Sequence, residues 1–182
     1  DSGDTITIPS GATITNSGTA TGFGGGKVLQ VVSSVLTSSV SVTADGDWQD
    51  YTGVSGAITP SASSSKILVM CSTGFSSDSQ TSRHAVRLVR DSTAISIGDA
   101  ASSRARGAFP VFTVHSNTGN SCRFISIQHL DSPSTTSEVT YKLQFAADSG
   151  RALHVNKADE DTDTFLVARG ATNFVCLEID GS

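Results

Sequence analysis

Apolar residues recur along the chain in runs of four to ten, rich in Val, Ile, Thr and Phe, with clusters of Ser, Gly, Asp and Asn between them. No window carries a sustained 3.6-residue apolar period, so the pattern predicts an all-β protein. Strands are expected at 27–35, 38–43, 48–59, 66–75, 83–90, 93–97, 109–115, 121–130, 137–146, 151–155 and 172–179. Many short strands with few tight two-residue turn signals favour a two-sheet sandwich or jelly roll over an up-and-down barrel.

The strands are of two kinds. "EVTYKLQFA" alternates: Val139, Tyr141, Leu143 and Phe145 fall on one face, and Thr140, Lys142 and Gln144 on the other. That is a strand with one wet face. In "KILVMC", "CRFISIQHL" and "NFVCLEI" both faces carry apolar residues, since Ile67, Val69 and Cys71 oppose Leu68 and Met70. A sandwich covers one face of each sheet, so the second face needs another cover. With few residues to spare, the expected cover is another copy of the chain.

Ahead of the first long strand, "TITIPSGATITNSGTATGFGGG" places Ile6, Ile8 and Ile14 among small polar residues, with a turn at Pro9-Ser10-Gly11. A strip this thin cannot bury its isoleucines alone. Residues 1–26 are therefore expected to be a short β-stem and glycine linker, ordered by winding with symmetry mates, and residues 27–182 a globular head. A flexible tether is the alternative for the strip.

With 182 residues, one cored domain plus a small appendage is expected. The net charge is −5 with 16% charged residues, and no basic run occurs. Nucleic acid and anionic membranes are thus poor candidate partners. No apolar run approaches the roughly 18 residues of a membrane span. The chain opens at Asp1 without an initiating Met and is expected to be part of a longer product.

Cys71, Cys122 and Cys176 are odd in number, lack CxxC spacing and sit in apolar runs, so they read as core or core-edge thiols. Asp159, Asp161 and Asp163 alternate like the first ligands of a calcium loop. Thr164 stands where the turn glycine belongs and Gly170 where the bidentate Glu belongs, so a solvated acidic loop is the default and calcium the alternative. His84, His115, His129 and His154 show no ligand spacing, although His129 stands in a doubly apolar strand and is a candidate interface residue. No GxSxG or cysteine-protease signature occurs, so no catalytic, cofactor-binding or metal residue is assigned. Arg83, Arg87, Arg90, Arg104 and Arg106 gather in one stretch; intersubunit ion pairs with Asp91 or Asp99 are expected first, and recognition of an acidic glycan or phosphate second. Trp48 and Tyr51 are expected to pack, with sugar stacking as the alternative.

The phrases "TIPSGATITNSGTATGFG" and "LDSPSTTSEVTYK", with "ITPSASSSKILVMCS", "RLVRDSTAISIGDA" and "DTDT", resemble fibre-like and surface-decorating virion proteins of tailed bacteriophages, especially marine ones. The head also resembles the trimeric jelly roll of tumour necrosis factor and complement-type proteins. The resemblance implies a homotrimeric, non-enzymatic structural protein of the virion. Its partners would be itself, other virion proteins and a host surface receptor or glycan. A tail-fibre head for host attachment is the first expectation and a capsid decoration protein that reinforces the shell is the second. Two readings from other classes are a secreted trimeric receptor ligand, which calls for a signal peptide and stalk, and a fibre glycan depolymerase, which calls for a cleft with paired carboxylates.

Overall fold

The computed structural model describes residues 9–11, 27–79, 81–109 and 122–181. Among these there is no helix, and ten strands follow in order: β1 (Val28–Leu36), β2 (Val40–Thr43), β3 (Gln49–Ile58), β4 (Lys66–Ser77), β5 (His84–Arg90), β6 (Thr93–Ile95), β7 (Arg123–Asp131), β8 (Val139–Ala147), β9 (Ala152–Val155) and β10 (Thr172–Ile179). Each coincides with an expected strand to within two residues at either end. The strand expected at 109–115 lies outside the described residues, apart from Phe109, and so does the N-terminal stem apart from the turn at Pro9–Gly11.

The larger sheet has six strands in the order β1-β10-β4-β9-β2, with β7 paired to the other side of β4; the smaller runs β3-β8-β5-β6. All pairings are antiparallel. The sheets face each other across one core. Tyr51 of β3 packs between Phe75 of the larger sheet and Phe145 of its own, with ring centroids 5.3 and 5.0 Å apart. The period-2 pattern dictates which residues fill that core. Val139, Tyr141, Leu143 and Phe145 are all buried from one sheet, and Ile67, Val69, Cys71 and Phe75 from the other.

A bulge shapes β3. Its register against β8 shifts between Asp50 and Ser55, which lets both Tyr51 and Val54 turn inward. Gly53 sits inside the bulge at φ 83, and a Cβ there would stand 3.2 Å from the Leu36 side chain. Glycine alone meets both conditions without strain.

Polar clips join the layers and their edges. Tyr141 donates to the Asp131 carboxylate at 2.7 Å, and Arg90 pairs with the same oxygen at 2.6 Å. In the same cross-strand row, on the other side of Ile67, Glu178, buried in β10, accepts from the Ser61 backbone N–H and from the Ser61 and Ser65 hydroxyls at 2.6–2.8 Å. Asn156 ties the end of β9 to three neighbours: its Nδ2 donates to the carbonyls of Leu36 and Ser38, and its Oδ1 accepts from Thr172.

Candidate functional site

The residues that decide the site are those on the outer face of the larger sheet. Residues paired directly across a ladder project to the same side, so the register assigns the face without ambiguity. Val31, Leu177, Leu68 and Leu130 form one cross-strand row over β1, β10, β4 and β7. Ser33, Val175, Met70 and Gln128 form the next, and Val35, Asn173, Ser72 and Ser126 the one after. Lys66, at one end, is the only charged residue among these outward positions. Val31, Val35 and Leu130 are 55–59% exposed and Phe124 is 81% exposed. The sequence expectation that these strands carry two apolar faces is met. Ile67 and Val69 are covered by the chain's own second sheet, whereas Leu68 and Met70 lie half-buried on the uncovered side.

The outer face of the smaller sheet has the opposite character. Lys142 pairs with Asp50 at 2.7 Å, Gln144 donates to the same carboxylate at 2.7 Å, and Arg87 donates to Gln144 at 2.8 Å. Lys142 donates to Asp50 and holds its carboxyl below the usual range, against the raising effect of burial. The Arg87 guanidinium also lies 4.2 Å from the centroid of the Trp48 ring. Such a face is at ease in water. The contrast matters because depletion of charge marks the core of a protein–protein interface.

Two further exposed apolar side chains, Phe165 at 97% and Leu166 at 88%, occupy the loop between β9 and β10. Neither residue is among the candidates expected from sequence. The apolar pair "FL" after "DTDT" was the available signal, but a two-residue run has no period to read.

The other candidate residues fall as follows. Cys71 and Cys176 are buried in the core and Cys122 is half-buried, all as free thiols, as expected. Burial pushes the Cys71 and Cys176 thiols up to about 12, with Cys176 adding to the effect at Cys71. Tyr51 is buried and Trp48 half-buried, as the packing reading expected. Arg83 and Arg90 depart from expectation: their partners are Asp148 and Asp131 of the same chain, not Asp91 or Asp99 of another. Asp91 instead accepts from the Thr140 backbone. His129, opposite Val69, falls on the inner side of β7 and is half-buried, away from the exposed rows. His115 lies outside the described residues.

In the acidic loop, Asp161 makes a two-pronged pair with Arg169 at 2.5 and 3.0 Å, and Asp159 meets His154 at 2.9 Å. Asp163 is exposed, and among the described residues no three ligand-type side chains converge. Two of the three aspartates are thus engaged within the chain, Asp161 in an ion pair and Asp159 in a hydrogen bond.

Ser41, His154 and Asp159 are joined in series, with Ser41 Oγ 2.8 Å from His154 Nδ1 and Asp159 Oδ1 2.9 Å from Nε2. In a hydrolytic triad the serine meets Nε2 and the carboxylate Nδ1; here the two are exchanged. Ser41 also sits directly opposite His154 in the β2–β9 ladder, in extended strand rather than on a sharp elbow. The series is a cross-strand bridge that fixes the acidic loop to the sheet. No protein-family model matches the chain, and comparison with curated proteins finds no relative.

Proposed function

We propose that the chain is a non-enzymatic structural component of a virion: a homotrimeric, fibre-type protein whose jelly-roll head contacts the host surface. The observation that carries this reading is the outer face of β1, β10, β4 and β7, whose only charge among the described positions is Lys66 at one end. With strands about 4.8 Å apart and a rise of about 3.3 Å per residue, the three rows over four strands cover a footprint of about 400 Å² before the exposed loop residues are added. That is about half of one partner's share, about 800 Å², in a standard interface, and exposed Phe124 beside the rows extends it. The occupant is a second copy, because an apolar face complements itself, whereas a charged partner would leave its charges unpaired there. Threefold repetition gives the head avidity from weak single contacts.

Support for the jelly roll comes from the path of the chain, which changes sheet repeatedly: β4 and β7 belong to the larger sheet, β3, β5 and β8 to the smaller. Support for the virion reading comes from the resemblance carried by "TIPSGATITNSGTATGFG" and "LDSPSTTSEVTYK". The decoration reading uses the same trimer on the shell, and particle imaging with a label on this chain distinguishes shell copies from tail copies.

Light scattering of the purified chain at micromolar concentration should give the mass of three chains. The double variant Leu68→Lys with Leu130→Lys puts two charges in the central row and should reduce this to the mass of one, with an unchanged β-sheet circular-dichroism spectrum. A parent that runs at the mass of one chain ends the self-association reading.

A further inference from the structure

A cavity of about 550 Å³ opens beside β5, lined among others by Ala85, Gly98, Asp99, Arg104, Arg106 and Phe109. Its volume is within the range of small-molecule sites. Ala85 stands between His84 and Val86, which point into the core, so the cavity lies on the outer side of the smaller sheet, away from the outer face of the larger one.

The loop that builds it is held in place. The Gly98 N–H donates to the Gly107 carbonyl at 3.1 Å and closes the loop at its neck. Arg106 Nε donates to the Gly98 carbonyl at 2.6 Å across the same neck. The Ala108 N–H donates to the Val86 carbonyl of β5 at 2.8 Å, which docks the loop on the sheet. Gly107 permits this approach: a Cβ there would stand 2.9 Å from the Val86 carbonyl oxygen.

Two guanidiniums and one carboxylate give this cavity an excess of one positive charge, on a chain whose net charge is −5. Among the described residues the Arg104 guanidinium has no hydrogen bond or ion pair, and Arg106 spends only its Nε. Arginine presents a planar fork that matches a carboxylate. Asp99 supplies acceptor oxygens suited to hydroxyls, and small Ala and Gly residues with Phe109 supply an apolar surface for a ring.

From this arrangement we infer that the cavity binds a saccharide ring bearing a carboxylate. Arg104 and the outer nitrogens of Arg106 take the carboxylate, Asp99 accepts from ring hydroxyls, and the apolar lining meets the sugar's C–H face. This goes beyond the self-association reading and stands independently of it.

Calorimetric titration of the full chain with sodium glucuronate, glucose and sodium acetate tests the inference. Glucuronate should bind with a Kd on the order of millimolar, and glucose and acetate at least about tenfold more weakly, since each lacks one half of the recognition. Arg104→Gln removes an exposed side chain that bonds to nothing else among the described residues and should weaken glucuronate about tenfold or more. Light scattering on the same samples should show the oligomer mass of Arg104→Gln equal to the parent's, so loss of binding is separated from loss of assembly. Absence of glucuronate binding, equal binding of glucose, or an unaltered affinity in Arg104→Gln overturns the proposal. Acetate binding as tightly as glucuronate overturns it too, as a site for bare anions.

Discussion

Replacing Asn156 tests the account of how β9, β10 and the β1–β2 junction are joined. Its side chain is buried at 3% exposure. It donates to the Leu36 and Ser38 carbonyls at 2.9 and 3.1 Å and accepts from Thr172 at 2.9 Å. Thr172 is in turn hydrogen-bonded to Thr73 at 2.7 Å, so the network reaches β4. The residue also adopts φ 61, the left-handed region that asparagine tolerates better than most side chains. Asn156→Ala removes three hydrogen bonds at about 1 kcal/mol each and adds about 1–2 kcal/mol for alanine in the left-handed region, a loss of about 4–5 kcal/mol. Against a typical domain stability of about 5–15 kcal/mol this is large. Asn156→Gly loses the same bonds without the backbone strain and should be about 1 kcal/mol more stable than the alanine variant. Equilibrium urea unfolding followed by Trp48 fluorescence, at one fixed protein concentration, measures both. An alanine variant within about 1 kcal/mol of the parent, or a glycine variant less stable than the alanine one, refutes the reasoning.

Two further outcomes follow from the core. Burial raises the Glu178 carboxyl, but donation from Ser61 and Ser65 outweighs it, so it titrates below its usual value. A lowered folded value means stability that is present above the unfolded pKa and lost as pH falls through the folded one; urea midpoints from pH 6 to pH 3 should therefore fall further for the parent than for Glu178→Gln, and parallel curves would contradict this. The buried Cys71 and Cys176 thiols, pushed to about 12, should resist iodoacetamide at pH 8 while half-buried Cys122 reacts first. Peptide mass spectrometry that finds Cys71 labelled before Cys122 in the folded protein would count against the core packing.

The alternation of side chains along each strand was enough to identify the strands and the inward faces. Val139, Tyr141, Leu143 and Phe145 were readable as one buried face because the period of a strand is local and needs no partner. The same local rule showed that β4 and β10 carry apolar residues on both sides. What no local rule contains is which strands lie side by side. Leu68 and Leu130 become neighbours only because β7 pairs with β4, and that pairing is a choice among ladders of similar local propensity. The register likewise turned His129 inward and gave Arg83 and Arg90 partners far along the chain. The cavity carrying Arg104 and Arg106 exists because a glycine neck closes a loop that docks on β5 through the Ala108 N–H and the Val86 carbonyl, residues distant in sequence. Sequence by itself determined the class, the strands and the surplus of apolar surface, since those depend on residue type and spacing. Tertiary structure decided where that surplus gathers and which charges remain unpaired, since these depend on long-range pairing.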